Sequence, residues 1–453
     1  LHCWNWSFKD IEAYLPTIAA LGYTAIQTSP IQTAKQATKE HPCNDWWAFY
    51  QPADFVIDNT GSSALGTKAD FEKMCATAES YNIDVIVDIV ANHMGNKTAN
   101  DLSDSIIADL RNDSSCWHDI TKDTTNYGNR FDVTQYCMAG LPDLNTGNKK
   151  VQNYALGFLK ECIDAGADGF RFDGAKHIET PDDDPSFASD FLPTVIGGAD
   201  AYAKSLGRNV YFYGEVLDSP GQLPLVAYTK YMSVTDNSWG RGLLNEINGG
   251  SVASIANGYN KSAAANQLVV WAECHDDFAT TASHNTSKIS VTSINKAWAL
   301  IAARADVMPL YFGRPSDFMS TLMGEASITG WAQPEVKAVN LFHNAFVGQD
   351  ELTGVSGAIG YVVRGNSGIV LVNAGGTTAS MTMTYDKAAN LTANGFTKTG
   401  YTFVGWSTTA GGSKVYTNAQ SVSNLTTTSG GTVTLYPVWQ ANTYTVSYNA
   451  NGG

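Results

Sequence analysis

Charge is scarce in this chain: Asp, Glu, Lys and Arg make up 16% of its 453 residues. Positive charge is scarcer still, 28 Lys and Arg against 43 Asp and Glu, for a formal net charge of −15. That balance argues against nucleic acid or an anionic membrane surface as partner, and suits a neutral ligand and life in solution outside the cell. No run of about 18 apolar residues occurs, so nothing reads as a membrane-spanning helix. The cysteines are few and scattered: Cys3, Cys43, Cys75, Cys116, Cys137, Cys162 and Cys274, an odd total without a CxxC. That is neither a disulfide framework nor a zinc site. They read as buried small hydrophobes, with one bridge, Cys116 to Cys137, left open. The chain opens on Leu1 inside the strand-like run LHCWNW and closes within NTYTVSYNANGG. Both ends look cut, so the missing leader bears no information about export.

What the chain does have is apolar and aromatic content, 43% and 11%, ample for a large core. Its length predicts two to four domains. Short β-branched or aromatic runs alternate with amphipathic stretches. The strand candidates are 1–6, 23–30, 84–93, 168–175, 209–216, 231–237, 266–276 and 308–315; helical patterns such as 68–82 and 148–166 lie between them. Near-continuous apolar strands alternating with helices predict a parallel sheet covered on both faces. Eight such units over roughly 350 residues predict an α/β fold of the (β/α)₈ barrel type. A doubly wound sheet would need a glycine-rich phosphate turn after its first strand, and none is present.

In a barrel, chemistry sits at the C-terminal strand ends, and polar residues gather there. The third strand ends in Asn92-His93, the fourth in Arg171 and Asp173 of GFRFDGAKH, the fifth in Glu215, the seventh in His275-Asp276. Such charge is costly to bury unless it is paired or faces a ligand. Arg171 and Asp173 share a strand face, and the neighbouring guanidinium should lower the Asp173 pKa, as a nucleophile requires. Phe170 and Phe172 should point outward to the helices. Glu215 has no cation near it in sequence, and a less polar setting should raise its pKa so that it holds a proton. One ionised and one protonated carboxyl face to face is the arrangement for glycoside hydrolysis. Asp276, with His93 and His275, can hydrogen-bond sugar hydroxyls around the cleaved bond. Tyr50, followed by Gln51 in NDWWAFYQP, can stack on a sugar face, while Trp46, Trp47 and Phe49 are as well suited to the core. The long polar connection 94–147 predicts a small insertion domain.

VIVDIVANH, GFRFDGAKH, YGEV and ECHD, in that order, resemble the signature regions of the α-amylase family, glycoside hydrolase family 13. LPDLN at 141–145 resembles a fifth. LHCWNWSF, YTAIQTSP, FDVTQY and PLYFGRP are similar to the saccharifying bacterial members of the Bacillus subtilis type. The resemblance covers about 1–380. It implies a retaining, endo-acting hydrolase of α-1,4-glucosidic bonds in starch, with Asp173 as nucleophile, Glu215 as acid/base and Asp276 as transition-state stabiliser. It further implies that Tyr50, Gln51, His93, Arg171, Lys176, His177 and His275 line the cleft. A structural Ca²⁺ is implied as well, held by the Asn92 side chain, Asp143 and the carbonyls of Thr134 and His177, oxygen ligands that fit a hard cation. The chain departs from that subgroup in a short segment between Arg314 and Trp331.

The resulting domain expectation is a catalytic barrel over 1–93 and 148–350, the insertion over 94–147, and a truncated β-sandwich over 351–382. From about 383 the composition shifts to Thr, Gly, Asn and Ser. Residues 383–440 resemble the small Listeria–Bacteroides β repeat of bacterial surface proteins, and 441–453 the start of another copy, implying attachment or spacing at the cell surface. The expected partner is an α-glucan, with no nucleic acid, acting on a monomer that is extracellular or on the bacterial surface. Other α-glucan-active members of the family (maltogenic, pullulan-cleaving or transglycosylating) and a catalytically silent glycan-binding protein are the competing readings.

Overall fold

The computed structural model describes the chain except residues 36, 218–220, 260–261, 280–284, 376–380, 397–399, 410 and 447–453. Two compact units follow one another, 1–372 and 373–453.

The first unit is built on seven parallel strands hydrogen-bonded in chain order: Ala25–Gln27, Asp84–Ile89, Gly169–Phe172, Tyr211–Gly214, Ser233–Asp236, Leu268–Val270 and Met308–Pro309. The eighth stave is a single residue. His2 pairs in parallel with both Gln27 and Phe312, and its N–H meets the Tyr311 carbonyl at 2.8 Å, which closes the ring into a (β/α)₈ barrel. The strand expected over 1–6 shrinks to this bridge because Asn5 adopts a left-handed φ of 62° and turns the chain out of the sheet. The other seven expected strands all form, each shorter than its apolar run.

Amphipathic helices alternate with these strands. Lys68–Ser80 starts at a reciprocal cap between Thr67 and Asp70, and Lys149–Asp164 starts where Asn148 accepts from the Lys150 N–H; such caps satisfy the orphan donors of a helix start. Phe170 and Phe172 are fully buried beneath the helices, with Phe170 stacked on Phe212 at 5.7 Å. Gly169 is required by close packing: a Cβ there would meet Ile86 Cδ1 at 2.6 Å and the Tyr211 carbonyl oxygen at 2.7 Å.

Residues 94–147 fold into short pieces, including the helices Ala108–Arg111 and Arg130–Gln135 and a parallel pair, Asp119–Asp123 with Tyr136–Cys137. All seven cysteines are free and buried. The bridge left open between Cys116 and Cys137 is therefore not made; the Cys137 thiol faces the Ile120 carbonyl at 3.4 Å. After the barrel comes a three-stranded antiparallel sheet, Glu351–Ser356, Ile359–Arg364 and Gly368–Asn373. In the second unit Tyr401–Ser407 pairs with Tyr436–Ala441, and Ala389–Asn390 with Ser421–Val422, around a small core of Leu391, Trp406 and Val422. Most of the segment read as the start of a further repeat, 447–453 of 441–453, lies outside the described residues. Among the described residues no helix is long and apolar enough to cross a membrane.

Candidate active site at the strand ends

Parallel register brings Asp88, Arg171 and Tyr213 side by side on three consecutive strands. Arg171, almost fully buried, becomes the hub. Its Nη1 donates to both Asp88 carboxylate oxygens at 2.8 Å and to Asp173 Oδ1 at 2.9 Å. Its Nη2 lies 2.8 Å from Glu215 Oε2. One guanidinium thus holds three carboxylates, which offsets the cost of burying each of them. Glu215 Oε2 also accepts from the Gly174 N–H at 3.2 Å. Gly174 has a φ of 52°, a left-handed conformation that glycine adopts without strain. That bend carries the chain from the strand into the turn Ala175–His177, where the Lys176 N–H reaches the Glu215 carbonyl at 3.2 Å.

Two electrostatic expectations are corrected here. Burial pushes the Asp173 carboxyl up, outweighing Arg171, which opposes the shift; the sequence reading counted the cation and omitted desolvation. Glu215, expected to lack a cation, has the same Arg171 as its partner. The cation came from another strand, invisible to local sequence.

Asp88 is the residue the sequence reading missed. It is fully buried, and desolvation raises its pKa to about 7 against the pull of Arg171. The available clue was an acid in the middle of the otherwise apolar run VIVDIVA, residues 85–91.

Asp276 follows its strand in the first turn of the short helix His275–Ala279 and keeps 40% of its side chain exposed. Desolvation, then the Glu215 charge, push its carboxyl up. His275 Nε2 lies 3.6 Å from Asp276 Oδ1. Its ring is stacked on Tyr50 at 5.3 Å and 15° and meets the Trp46 edge at 5.1 Å. Tyr50 is buried and donates from its hydroxyl to Asp88 Oδ2 at 2.8 Å, so it joins the Arg171 hub from the loop side. Gln51 is half-buried, with its Oε1 atom buried and unpartnered.

The remaining expected residues sit deeper. His93 is fully buried; its Nε2 meets the Tyr50 carbonyl at 3.0 Å, its Nδ1 has no partner, and burial lowers its pKa to about 4. His177 turns its Nδ1 to the Val133 carbonyl at 2.9 Å. Lys176 Nζ lies over the Tyr127 ring, 5.2 Å from its centroid.

Of the expected cation ligands, Asn92 at the strand end and Asp143 in the insertion lie together. Asn92 Nδ2 donates to Asp143 Oδ1 at 2.8 Å, and Asn92 Oδ1 is buried without a partner. Burial pushes the Asp143 carboxyl far up. Its other oxygen meets His118 Nδ1 at 2.7 Å, and His118 Nε2 lies 3.1 Å from Glu179. The Thr134 carbonyl accepts from Gln135 Nε2 at 2.9 Å. Among the described residues no cluster of three or more His, Cys, Asp or Glu is arranged for a metal. The expected donors are instead one carboxylate, one amide oxygen and two carbonyls, and the orphaned Asn92 oxygen beside a buried acid fits a hard cation. His118 and Glu179 were not anticipated; Glu179 stands only two residues beyond His177.

Residues 8–218 match the family model described as alpha amylase, catalytic domain, and residues 370–437 that of the Listeria–Bacteroides repeat domain. The chain is 38% identical over 381 residues to an α-amylase of Clostridium acetobutylicum, covering 83% of this chain and 47% of that protein. It is 34% identical over 383 residues to an α-amylase of Butyrivibrio fibrisolvens, covering 78% and 39%. It therefore spans about half the length of these curated relatives or less. Among solved structures, a variant of α-amylase I from Eisenia fetida in complex with maltohexaose aligns with a TM-score of 0.67 at 20% identity, over 86% of this chain and 84% of that one. An α-amylase from Geobacillus thermoleovorans complexed with acarbose aligns with a TM-score of 0.60 at 18% identity, over 85% and 83%. At such identities the structural likeness speaks for the fold. The matched segments identify an α-amylase catalytic domain, glycoside hydrolase family 13, at residues 8–218 and a Listeria–Bacteroides repeat at residues 370–437.

Proposed function

We propose that this chain is an α-amylase: an endo-acting hydrolase that cleaves α-1,4-glucosidic bonds of starch and related α-glucans with retention of configuration. The observation that carries the reading is Arg171, whose two terminal nitrogens meet Asp173 at 2.9 Å and Glu215 at 2.8 Å at the barrel's C-terminal face.

In this reading an Asp173 carboxylate oxygen attacks the anomeric carbon while Glu215 delivers a proton to the departing glycosidic oxygen. A glycosyl ester on Asp173 results. Water then attacks the same carbon, gives its proton to Glu215 and releases Asp173 as the carboxylate. Arg171 favours the ionised form of Asp173 against the desolvation that opposes it. Asp276, on the open side of the site, faces the positive charge that develops on the sugar ring. Tyr50, Gln51, His93, Lys176, His177 and His275 surround the cleaved sugar, with Tyr50 and His275 forming one aromatic wall. The Asn92 side chain, Asp143 and the carbonyls of Thr134 and His177 would hold a calcium ion. When bound, it supplies fixed positive charge that ties the insertion to the loop following the nucleophile.

We assign 1–93 and 148–350 to the catalytic barrel, 94–147 to its insertion, 351–382 to a truncated β domain, 383–440 to a repeat module and 441–453 to the start of a further one. The repeats suit an extracellular or cell-surface setting, with the modules serving attachment and the enzyme working as a monomer.

Soluble starch incubated with the intact chain and with Asp173→Asn tests the reading. Hydrolysis by the first and loss of roughly three orders of magnitude or more in the second is expected. Equal rates would end it. Abundant panose or maltotriose from pullulan would point instead to another α-glucan-active member of the family.

A further inference from the structure

Asp276 stands between two acids that the proposed chemistry does not use. Glu273 and Asp277 are each only 2% exposed, and a buried carboxylate is costly unless a cation accompanies it. Each has its own arginine, and the two arginines come from opposite sides. The strand Leu268–Val270 that leads to Asp276 lies between Ser233–Asp236 and Met308–Pro309. Arg241 belongs to the helix Asn237–Asn248 that follows the first of these neighbours. Arg314 belongs to the loop that follows the second.

Arg314 Nε and Nη2 meet the two Glu273 carboxylate oxygens at 2.6 and 2.7 Å. The same guanidinium donates to the Thr286 carbonyl at 2.8 Å and the Ile289 carbonyl at 2.9 Å. The Thr286 hydroxyl donates in turn to Glu273 Oε2 at 2.6 Å. On the other side Arg241 Nη2 is paired with Asp277 Oδ1. Asp277 Oδ2 accepts from the Cys274 N–H at 3.1 Å, and the Asp277 carbonyl accepts from the Thr286 N–H at 2.8 Å. Gly240 lets the Arg241 helix come this close: a Cβ there would fall 1.9 Å from the Trp271 carbonyl oxygen.

Asp276, by contrast, keeps 40% of its side chain exposed, on a helix of five residues, His275–Ala279. A helix that short has little stability of its own, so the bonds at its flanks decide where Asp276 points. A carboxylate that meets developing positive charge is effective to the extent that it is fixed beforehand, and a misplacement of about 1 Å can cost about a hundredfold in rate.

We propose that Arg241 is a positioning residue that, through its pair with Asp277, fixes the Asp276 carboxylate for the transition state, with Arg314 and Glu273 anchoring the same turn from the other side. This rests on the glycosidase reading of Asp173, Glu215 and Asp276. Arg241 takes no part in proton or glycosyl transfer; it acts through Asp277 and the backbone that joins Asp277 to Asp276.

A double-mutant comparison separates this role from a merely structural one. With α-maltotriosyl fluoride as an activated substrate, Arg241→Met should lower kcat about tenfold and leave KM nearly unchanged. Arg241→Lys should restore most of the lost rate. In an Asp276→Asn background the carboxylate to be positioned is gone, so adding Arg241→Met should cost less than about twofold. Equal fold losses in the two backgrounds, or an unchanged kcat in the first, overturn the proposal. Asp277→Asn, which keeps an acceptor for the Cys274 N–H, carries the same comparison if Arg241→Met does not fold. If the unaltered chain cleaves neither starch nor the fluoride, the glycosidase reading has failed. The clamp is then judged by hydrogen exchange over residues 273–279: faster exchange in Arg241→Met, with the strand Gly169–Phe172 unaffected, supports it, and equal exchange overturns it.

Discussion

Arg171 donates from one nitrogen to both carboxylate oxygens of Asp88 at 2.8 Å, and Asp88 has no exposed surface. This pair lies one layer beneath the residues assigned to chemistry. It holds the guanidinium plane that Asp173 and Glu215 share, and Tyr50 completes it from above. Asp88 is thus a positioning residue for both carboxylates.

Desolvation raises the carboxyls of both Asp88 and Asp173, the former to about 7. For acids shifted upward, the stability contribution is complete below the ordinary aspartate value and declines as pH rises through the folded-state pKa. Activity runs the other way, because Asp173 must be ionised and is lost as pH falls. Asp88→Asn removes half of the grip on the guanidinium that Asp173 and Glu215 share, so it should lower kcat and cost up to about 3 kcal/mol of stability. Steady-state rates and a melting curve of the variant check this; an unchanged kcat and Tm would count against it.

Calcium should stabilise the chain through Asp143. Adding calcium to chelator-treated protein is expected to raise Tm, by a linkage of about 2.7 kcal/mol at a hundredfold excess over Kd. Asp143→Asn should remove most of that response. Differential scanning calorimetry on both proteins gives the comparison, and an identical calcium response in the variant would refute the ligand assignment.

The cysteines carry a simple expectation. All seven are buried and unbridged, and burial pushes the Cys43 and Cys137 thiols up to about 11. The native protein should react slowly with a thiol reagent and release seven equivalents once denatured. Reductant should leave its Tm unchanged. Five equivalents without reductant would reveal a disulfide.

Periodicity located the barrel strands because each is an apolar run ended by polar residues, and that pattern survives without knowledge of neighbours. It overstated strand one, where the left-handed Asn5 ends the pairing after His2. At the site, the strand-end residues Asp173 and Glu215 were legible as chemistry, but their environment was not. The Glu215 cation is 44 positions away in sequence and two strand positions away in space, a relation fixed by register. Asp88 escaped because an acid inside an apolar strand gains meaning only when the neighbouring strand supplies Arg171. Solvent exclusion, which reverses the shift expected for Asp173, is a property of the whole mouth and is written in no single segment.

The stereochemistry of cleavage tests the central claim most directly. Proton NMR of an amylose digest, recorded within the first minutes, reads the anomer of each newly formed reducing end before mutarotation mixes the two. Attack by Asp173 followed by water predicts that the α anomer appears first. Initial release of the β anomer would contradict the account, since it would mean that water attacks directly and Asp173 never bonds to the sugar.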